Sequence, residues 1–382
     1  MTQHTDRPFP QTQASVHLDA MRGVAAVLVV VFHMRGMLYV PFDQVAGHRG
    51  LAHGAYMLAG LGHQAVVIFF VLSGFLVGGT ALRSFERGQW SWRRYMMQRL
   101  VRMWVVLLPA LALGALMDRI ALWRVARHST AQALYLLEGV PERLNVRTFA
   151  GCAAFVQTMF VPVLGSNVSL WSLANEFWYY VLFPLALCTL WPRRSGVSRL
   201  LYAVAVLGVG WMVGKDILEL APLWVLGALL HYAPRRQLKR GVRVVCAAAY
   251  PFAVILAASG NLHHFNTDYL LAIATAAFLW VLLSSGRAEQ AGGVYSRWAR
   301  RLASFSFTLY LTHRPLVTLV GCFAMGRELW QPDPKHAAAG FVLLVALLGY
   351  AWAMAGVTEY RTDEVRMWVE GLSWRGRVSE TA

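Results

Sequence analysis

Charged residues are scarce in this chain: Asp, Glu, Lys and Arg make up 14% of it, against 57% hydrophobic residues. A soluble domain carries about a quarter of its residues as charges, so this balance excludes an ordinary soluble fold. Acidic residues are the scarcer sign, 19 against 35 Lys and Arg, which leaves a formal charge of +16. That surplus does not point to nucleic acid, because the basic residues fall in short clusters between apolar runs rather than on one amphipathic surface. Cysteine is rare too. Cys152, Cys188, Cys246 and Cys322 are widely spaced and form no Cys-x-x-Cys or Cys/His metal spacing, so small buried residues and no metal are expected. The polar residues 1–16 lack a basic stretch followed by a cleavable apolar core, so no signal peptide is expected and the first span serves as its own insertion signal. Repeats, low-complexity tracts and long linkers are also missing.

What is present is a series of apolar segments, each near the ~20 residues that a bilayer crossing needs. They lie at 23–40, 60–82, 101–117, 170–191, 200–214, 217–233, 244–260, 268–284, 302–323 and 337–357. The predicted fold is all-α, a polytopic bundle of about ten transmembrane spans with both termini cytoplasmic. Residues 17–360 form the membrane domain, between the polar tail at 1–16 and a cytoplasmic tail at 361–382. With ten spans, 24 Lys and Arg fall in inside segments and ten in outside ones. The positive-inside bias favours that topology. A further stretch, Phe149 to Leu164, is short and carries Gln157 and Pro162; counted as a crossing, it would put the basic 234–243 and 285–301 loops outside. It is therefore read as re-entrant or lying against the outer face, within an external insertion at 118–165.

The first span carries Arg22 and His33, eleven residues apart. On an α-helix that spacing returns to within about 20° of the same face after a rise of about 16 Å. An ionisable side chain at bilayer depth costs about 2.5–3.5 kcal/mol on insertion scales, so it is usually retained for a pathway, a relay or a reaction.

Five stretches occur in order: Leu18-Asp-Ala-Met-Arg-Gly, Phe70-Val-Leu-Ser-Gly-Phe75, Arg99-Leu-Val-Arg102, Ser169-Leu-Trp-Ser-Leu-Ala-Asn-Glu176 and Ser306-Phe-Thr-Leu-Tyr-Leu-Thr-His313. Together they resemble the acyltransferase-3 family of integral membrane O-acyltransferases, whose members acylate hydroxyls on bacterial glycans and some small-molecule glycosides. The resemblance runs from about residue 17 to 360. The chain departs from the family pattern at Ala20, at Asn175 beside Glu176, and at Arg314 after His313.

The resemblance implies an acyl-CoA donor, acetyl-CoA first, and a carbohydrate or glycosylated acceptor in a bacterial inner membrane. His33, near mid-membrane on this topology, suits a general base, since a neutral imidazole accepts a hydroxyl proton near neutral pH. The bland alternative is a histidine satisfied inside the bundle. Arg22, Arg99 and Arg102 lie at cytoplasmic span ends and suit the phosphates of coenzyme A, because guanidinium binds phosphate bidentately. Ordinary positive-inside anchoring competes with that, and is preferred for Arg83, Arg87, Arg93 and Arg94. Glu176 either orients an imidazole, binds acceptor hydroxyls or forms a structural ion pair, and His313 either shares the His33 cavity or does not.

Ser73, flanked by glycine, is read as a helix-packing residue rather than an acyl nucleophile. Glu359 receives no role, His263 and His264 are read as loop histidines without metal partners, and the tryptophans near span ends are interfacial anchors. The predicted function is a membrane O-acyltransferase. Its rivals are a carrier or flippase for a glycosylated or anionic lipid, with Arg22 and His33 on the path, and an inactive relative that organises an assembly complex.

Overall fold

The structure, a computed structural model, describes residues 13–47, 49–259, 264–284, 293–324 and 328–379. Residues 1–12, His263, Arg287 and Arg327, used above for charge or loops, lie outside the described residues, as do the side chains of Arg49, His264, Arg375 and Arg377.

The long helices are α1 (Gln13–Leu38), α2 (Gly62–Ser73), α3 (Trp92–Arg127), α4 (Trp171–Leu190), α5 (Gly196–Leu229) and α6 (Arg240–Ala258). They are followed by α7 (His264–Ser284), α8 (Val294–Ser304), α9 (Ser306–Ala324), α10 (Pro334–Val357) and α11 (Thr362–Ser379). A π-helical turn, Gly74–Gly78, carries α2 on into the helix Gly79–Glu86. Extended pairing among the described residues amounts to two isolated bridges, Tyr39 with Trp330 and Gln157 with Val161.

The protein is all-α, and eight helical stretches among the described residues are long and apolar enough to cross a membrane. Seven of the eight each match one expected span. The eighth, α5, takes in both 200–214 and 217–233 and breaks between them at Gly214 (φ 77°, ψ 176°), a conformation that only glycine adopts readily. The expected span at 302–323 is α9, which is not one of the eight. α1 starts at Gln13, inside the expected polar tail, so His33 lies in its last two turns. Phe149 to Leu164 is no continuous helix: a short helix, Val146–Ala153, gives way to turns in which Phe155 and Thr158 take positive φ.

The chain forms two compact units. In the first (Met1–Val29, Met57–Trp90 and Asn175–Ala303), α2 and its π turn pack on α5. Backbone meets backbone there: a Cβ on Gly74 would strike the Trp224 carbonyl, and one on Gly227 the Val71 carbonyl. In lipid, helices gain no hydrophobic drive from pairing, so small residues that allow close approach supply the attraction. Trp224 is fully buried beside this contact. Elsewhere in the unit Val16 and Ala20 of α1 pack on Ala299 of α8, and Gly23 faces Leu302.

In the second unit (Val30–Tyr56, Ser91–Ala174 and Ser304–Ala382), α3 lies along α9, with Gly114 facing Pro315. α10 packs on α9 and α11 on α3. The end of α1 is fixed by main-chain bonds, Trp330 N–H donating to Leu38 O at 2.9 Å and Val40 N–H to Trp330 O at 3.1 Å.

Candidate active site

Two histidines from distant parts of the chain meet in the second unit. His33, on the last turns of α1, places Nδ1 3.0 Å from Nε2 of His313 on α9. Their ring centroids are 5.1 Å apart and tilted by 39°. His313 is fully buried and His33 partly so. The other nitrogen of His313, Nδ1, faces the main-chain carbonyls of Tyr310 at 2.8 Å and Leu309 at 3.1 Å, so its ring is held at both edges. The pairing brings together two of the residues selected from sequence.

The helix that carries His313 is pinned at three heights. At its start, Glu359 accepts from the Thr308 main-chain N–H at 3.1 Å and from the Thr308 hydroxyl at 3.0 Å. The first N–H groups of a helix lack intrahelical acceptors, and a carboxylate there also complements the positive end of the helix dipole. That gives Glu359, unassigned from sequence, a capping role. One turn on, Pro315 has no N–H to offer Leu311, four residues back. The Leu311 carbonyl instead accepts from the Asn167 side-chain amide at 2.8 Å. Next to His313, Arg314 Nε donates to the Ser166 carbonyl at 2.8 Å. Asp118 of α3, 1% exposed, accepts from the Ser166 N–H at 2.9 Å and the Ser166 hydroxyl at 2.6 Å. Arg314, a departure from the family pattern, is thus an anchor for the segment before α4.

In the first unit Glu176 accepts two short bonds at Oε1, from the Ser73 hydroxyl and the Tyr180 hydroxyl, both at 2.5 Å. Trp224 Nε1 donates to Ser73 Oγ at 3.1 Å. Glu176 therefore has hydroxyl partners, and no ion pair forms on it among the described residues. Ser73 sits immediately before the π turn, an irregularity that often marks functional positions.

The arginines sit on two elements. Arg22, in the first unit, lies 3.8 Å from Asp19 one turn earlier on α1, with its side chain 21% exposed. Arg99 and Arg102 lie near the start of α3 in the second unit; Arg99 is partly buried with its guanidinium 5.6 Å from the Tyr95 ring centroid, and Arg102 is exposed.

The family model described as "Acyltransferase domain" matches residues 16–356. The chain belongs to the acyltransferase-3 family. That span takes in both histidines, Glu176 and all three arginines. Among curated relatives, "Acyltransferase MdmB" of Streptomyces mycarofaciens is 25% identical over 369 residues, covering 89% of this chain and 88% of its own length. No solved structure matches. The protein is therefore a membrane acyltransferase, and family membership favours an enzyme over the lipid carrier.

Asp118, Ser166 and Asn167 were not singled out from sequence. Pro315 inside a helix was the available signal for Asn167, because a proline leaves a carbonyl that something must satisfy. Asp118 carried no such signal, because the expected span stopped at residue 117, whereas the helix runs on to Arg127.

Proposed function

We propose that this acyltransferase moves the acyl group of an acyl-CoA, acetyl-CoA first, onto a hydroxyl of a carbohydrate or glycosylated acceptor of the bacterial cell envelope, with His33 as general base. One observation carries the reading: the His33 ring, at the end of a membrane helix, is hydrogen-bonded nitrogen to nitrogen with the fully buried His313. An imidazole held in that way is oriented, and an oriented base is what proton transfer from a hydroxyl needs.

Arg22 in the first unit, and Arg99 and Arg102 in the second, are each proposed as phosphate contacts, at the cytoplasmic side of an inner-membrane topology with both termini cytoplasmic. Arg99 Nε is buried without a partner among the described residues, which leaves it a donor to give. On the acceptor side, a recess of about 300 Å³ is lined by Arg35, Gly36, Tyr39, Pro41, Gln132, Tyr135 and Leu329. Gly36 is one turn from His33 on the same helix face, and Gln132 and Tyr135 belong to the external insertion. Planar amide, guanidinium and aromatic groups around one recess suit a polyhydroxylated ligand. Glu176 and its hydroxyl partners are proposed as a separate polar group, within the first unit.

The test is release of free thiol from acetyl-CoA by purified protein in lipid, with a panel of envelope glycans and simple glycosides as acceptors. Acceptor-dependent turnover in the parent, lost in His33→Ala with CoA binding intact, supports the base; weakened CoA binding in Arg22→Ala supports the phosphate contact. Full turnover in His33→Ala defeats the mechanism.

A further inference from the structure

We infer that His313 is a positioning residue that fixes the tautomer of His33, so that the acceptor's proton is received by His33 Nε2. The inference rests on the reading of His33 as the base and goes beyond it in naming the atom and what selects it.

The hydrogen bonds carry the assignment from one end to the other. His313 Nδ1 faces two main-chain carbonyls, at 2.8 and 3.1 Å. Carbonyl oxygens only accept, so this nitrogen bears the hydrogen. A neutral imidazole has one N–H, which leaves His313 Nε2 with a lone pair. That lone pair faces His33 Nδ1 at 3.0 Å. The hydrogen between the rings therefore belongs to His33, and the lone pair of neutral His33 is on Nε2. The other neutral tautomer of His33 would set two lone pairs against each other across the same gap, with no hydrogen between them.

Free histidine in water favours the opposite form, with hydrogen on Nε2. His313 thus reverses the ordinary preference. It does what the orienting carboxylate does for the histidine of a hydrolase triad, but with a neutral acceptor that brings no charge into the bundle. The transfer then balances simply. As the acceptor oxygen attacks the thioester carbonyl, its proton passes to His33 Nε2; the carbon–sulfur bond breaks, an ester bond forms, and the sulfur takes the proton from Nε2 and leaves as the thiol of coenzyme A. Throughout, His33 Nδ1–H stays donated to His313, and that bond strengthens while the His33 ring is positive.

The rest of α9 serves the same end. Two carbonyls orient His313 only if its helix neither rotates nor shifts, and the bonds with Glu359, Asn167 and Ser166 hold that helix at its start, at Leu311 just before the ring and at Arg314 just after it.

The experiment is solid-state ¹⁵N spectroscopy of histidine-labelled protein in lipid bilayers, with the spectrum of His33→Gln used to assign the His33 ring. It is run on the parent, His313→Leu and His313→Gln, alongside kcat and KM for acetyl-CoA. The parent is expected to show His33 protonated on Nδ1 and bare on Nε2. In His313→Leu the His33 hydrogen moves to Nε2 and kcat falls about 100-fold, the scale of a general base, with KM unchanged. His313→Gln, whose amide oxygen accepts from Nδ1–H, restores the tautomer and most of kcat. If His313→Leu does not fold, the parent and His313→Gln spectra decide.

A parent spectrum with His33 protonated on Nε2 overturns the inference, and so does full kcat in His313→Leu; if His33→Gln is inactive when assayed beside them, the base reading survives. Full turnover in His33→Ala removes the base and with it any catalytic consequence of the tautomer.

Discussion

The side-chain amide of Asn167 donates at 2.8 Å to the main-chain carbonyl of Leu311, the carbonyl that Pro315 leaves without its helical donor. Asn167 is 3% exposed, so no water competes freely for that carbonyl. Removing the amide strands a buried acceptor, which costs about 1–3 kcal/mol. Asn167→Ala is expected to lower thermal stability in detergent by that amount. On a Pro315→Ala background the helix supplies its own N–H to Leu311, so Asn167→Ala should cost less there, and a double-mutant cycle measures the difference.

Glu359 and Thr308 give a second prediction. The carboxylate accepts from both donors of Thr308 at the start of α9. Glu359→Ala should destabilise the protein by about 1–3 kcal/mol through the lost charged acceptor. Glu359→Gln, which keeps an accepting oxygen, should cost less. Thermal unfolding of the two variants side by side checks the order.

Gly74 and Gly349 should respond in opposite directions to the same change. An added Cβ at Gly74 meets the main chain at Trp224, whereas nothing lies within 4 Å of one at Gly349 in α10. Gly74→Ala is expected to abolish recovery of monodisperse protein. Gly349→Ala should be neutral or stabilising by up to about 1 kcal/mol, because alanine loses less backbone entropy in a helix. Size-exclusion yield and melting temperature separate the two.

Asp333 caps α10 from outside the span, accepting from the His336 N–H at 2.9 Å and from the His336 ring at 2.5 Å. These bonds, the main-chain one first, hold its carboxyl below the ordinary carboxylate range. A depressed folded pKa means that the cap's contribution is complete above the unfolded value of about 3.9 and is lost as pH falls through the lower folded value. The protection factors of the first-turn amides of α10, exchange rates taken relative to the unfolded chain at the same pH, should therefore be flat near neutrality and fall only in acid, and in Asp333→Ala they should be low at every pH.

Much of the architecture was legible because lipid imposes one pattern: apolar runs of set length, with basic residues between them. Arg22 and His33 on one helix followed from the first apolar run, and α1 carries both. The Gly214 break falls between the two segments separated by hydropathy at 200–214 and 217–233. The supports of the histidine pair were not legible, since they join residues far apart in the chain. Asn167 and Leu311 are 144 positions apart, Arg314 and Ser166 148, and His313 and His33 280. A single sequence shows that a proline has freed a carbonyl, but not which distant amide satisfies it. Likewise Glu359, in a stretch of unremarkable local pattern, takes its meaning from the helix start that it meets in space.

A helix tethered at Thr308, Leu311 and Arg314 by two separate stretches of chain has no easy coordinate along which to slide. A piston stroke of one turn would break all three ties at once, while a small rotation would already turn His313 away from its carbonyls. α9 is therefore the stator of the second unit. Any rearrangement within the second unit is expected to pass by His313 rather than carry it along.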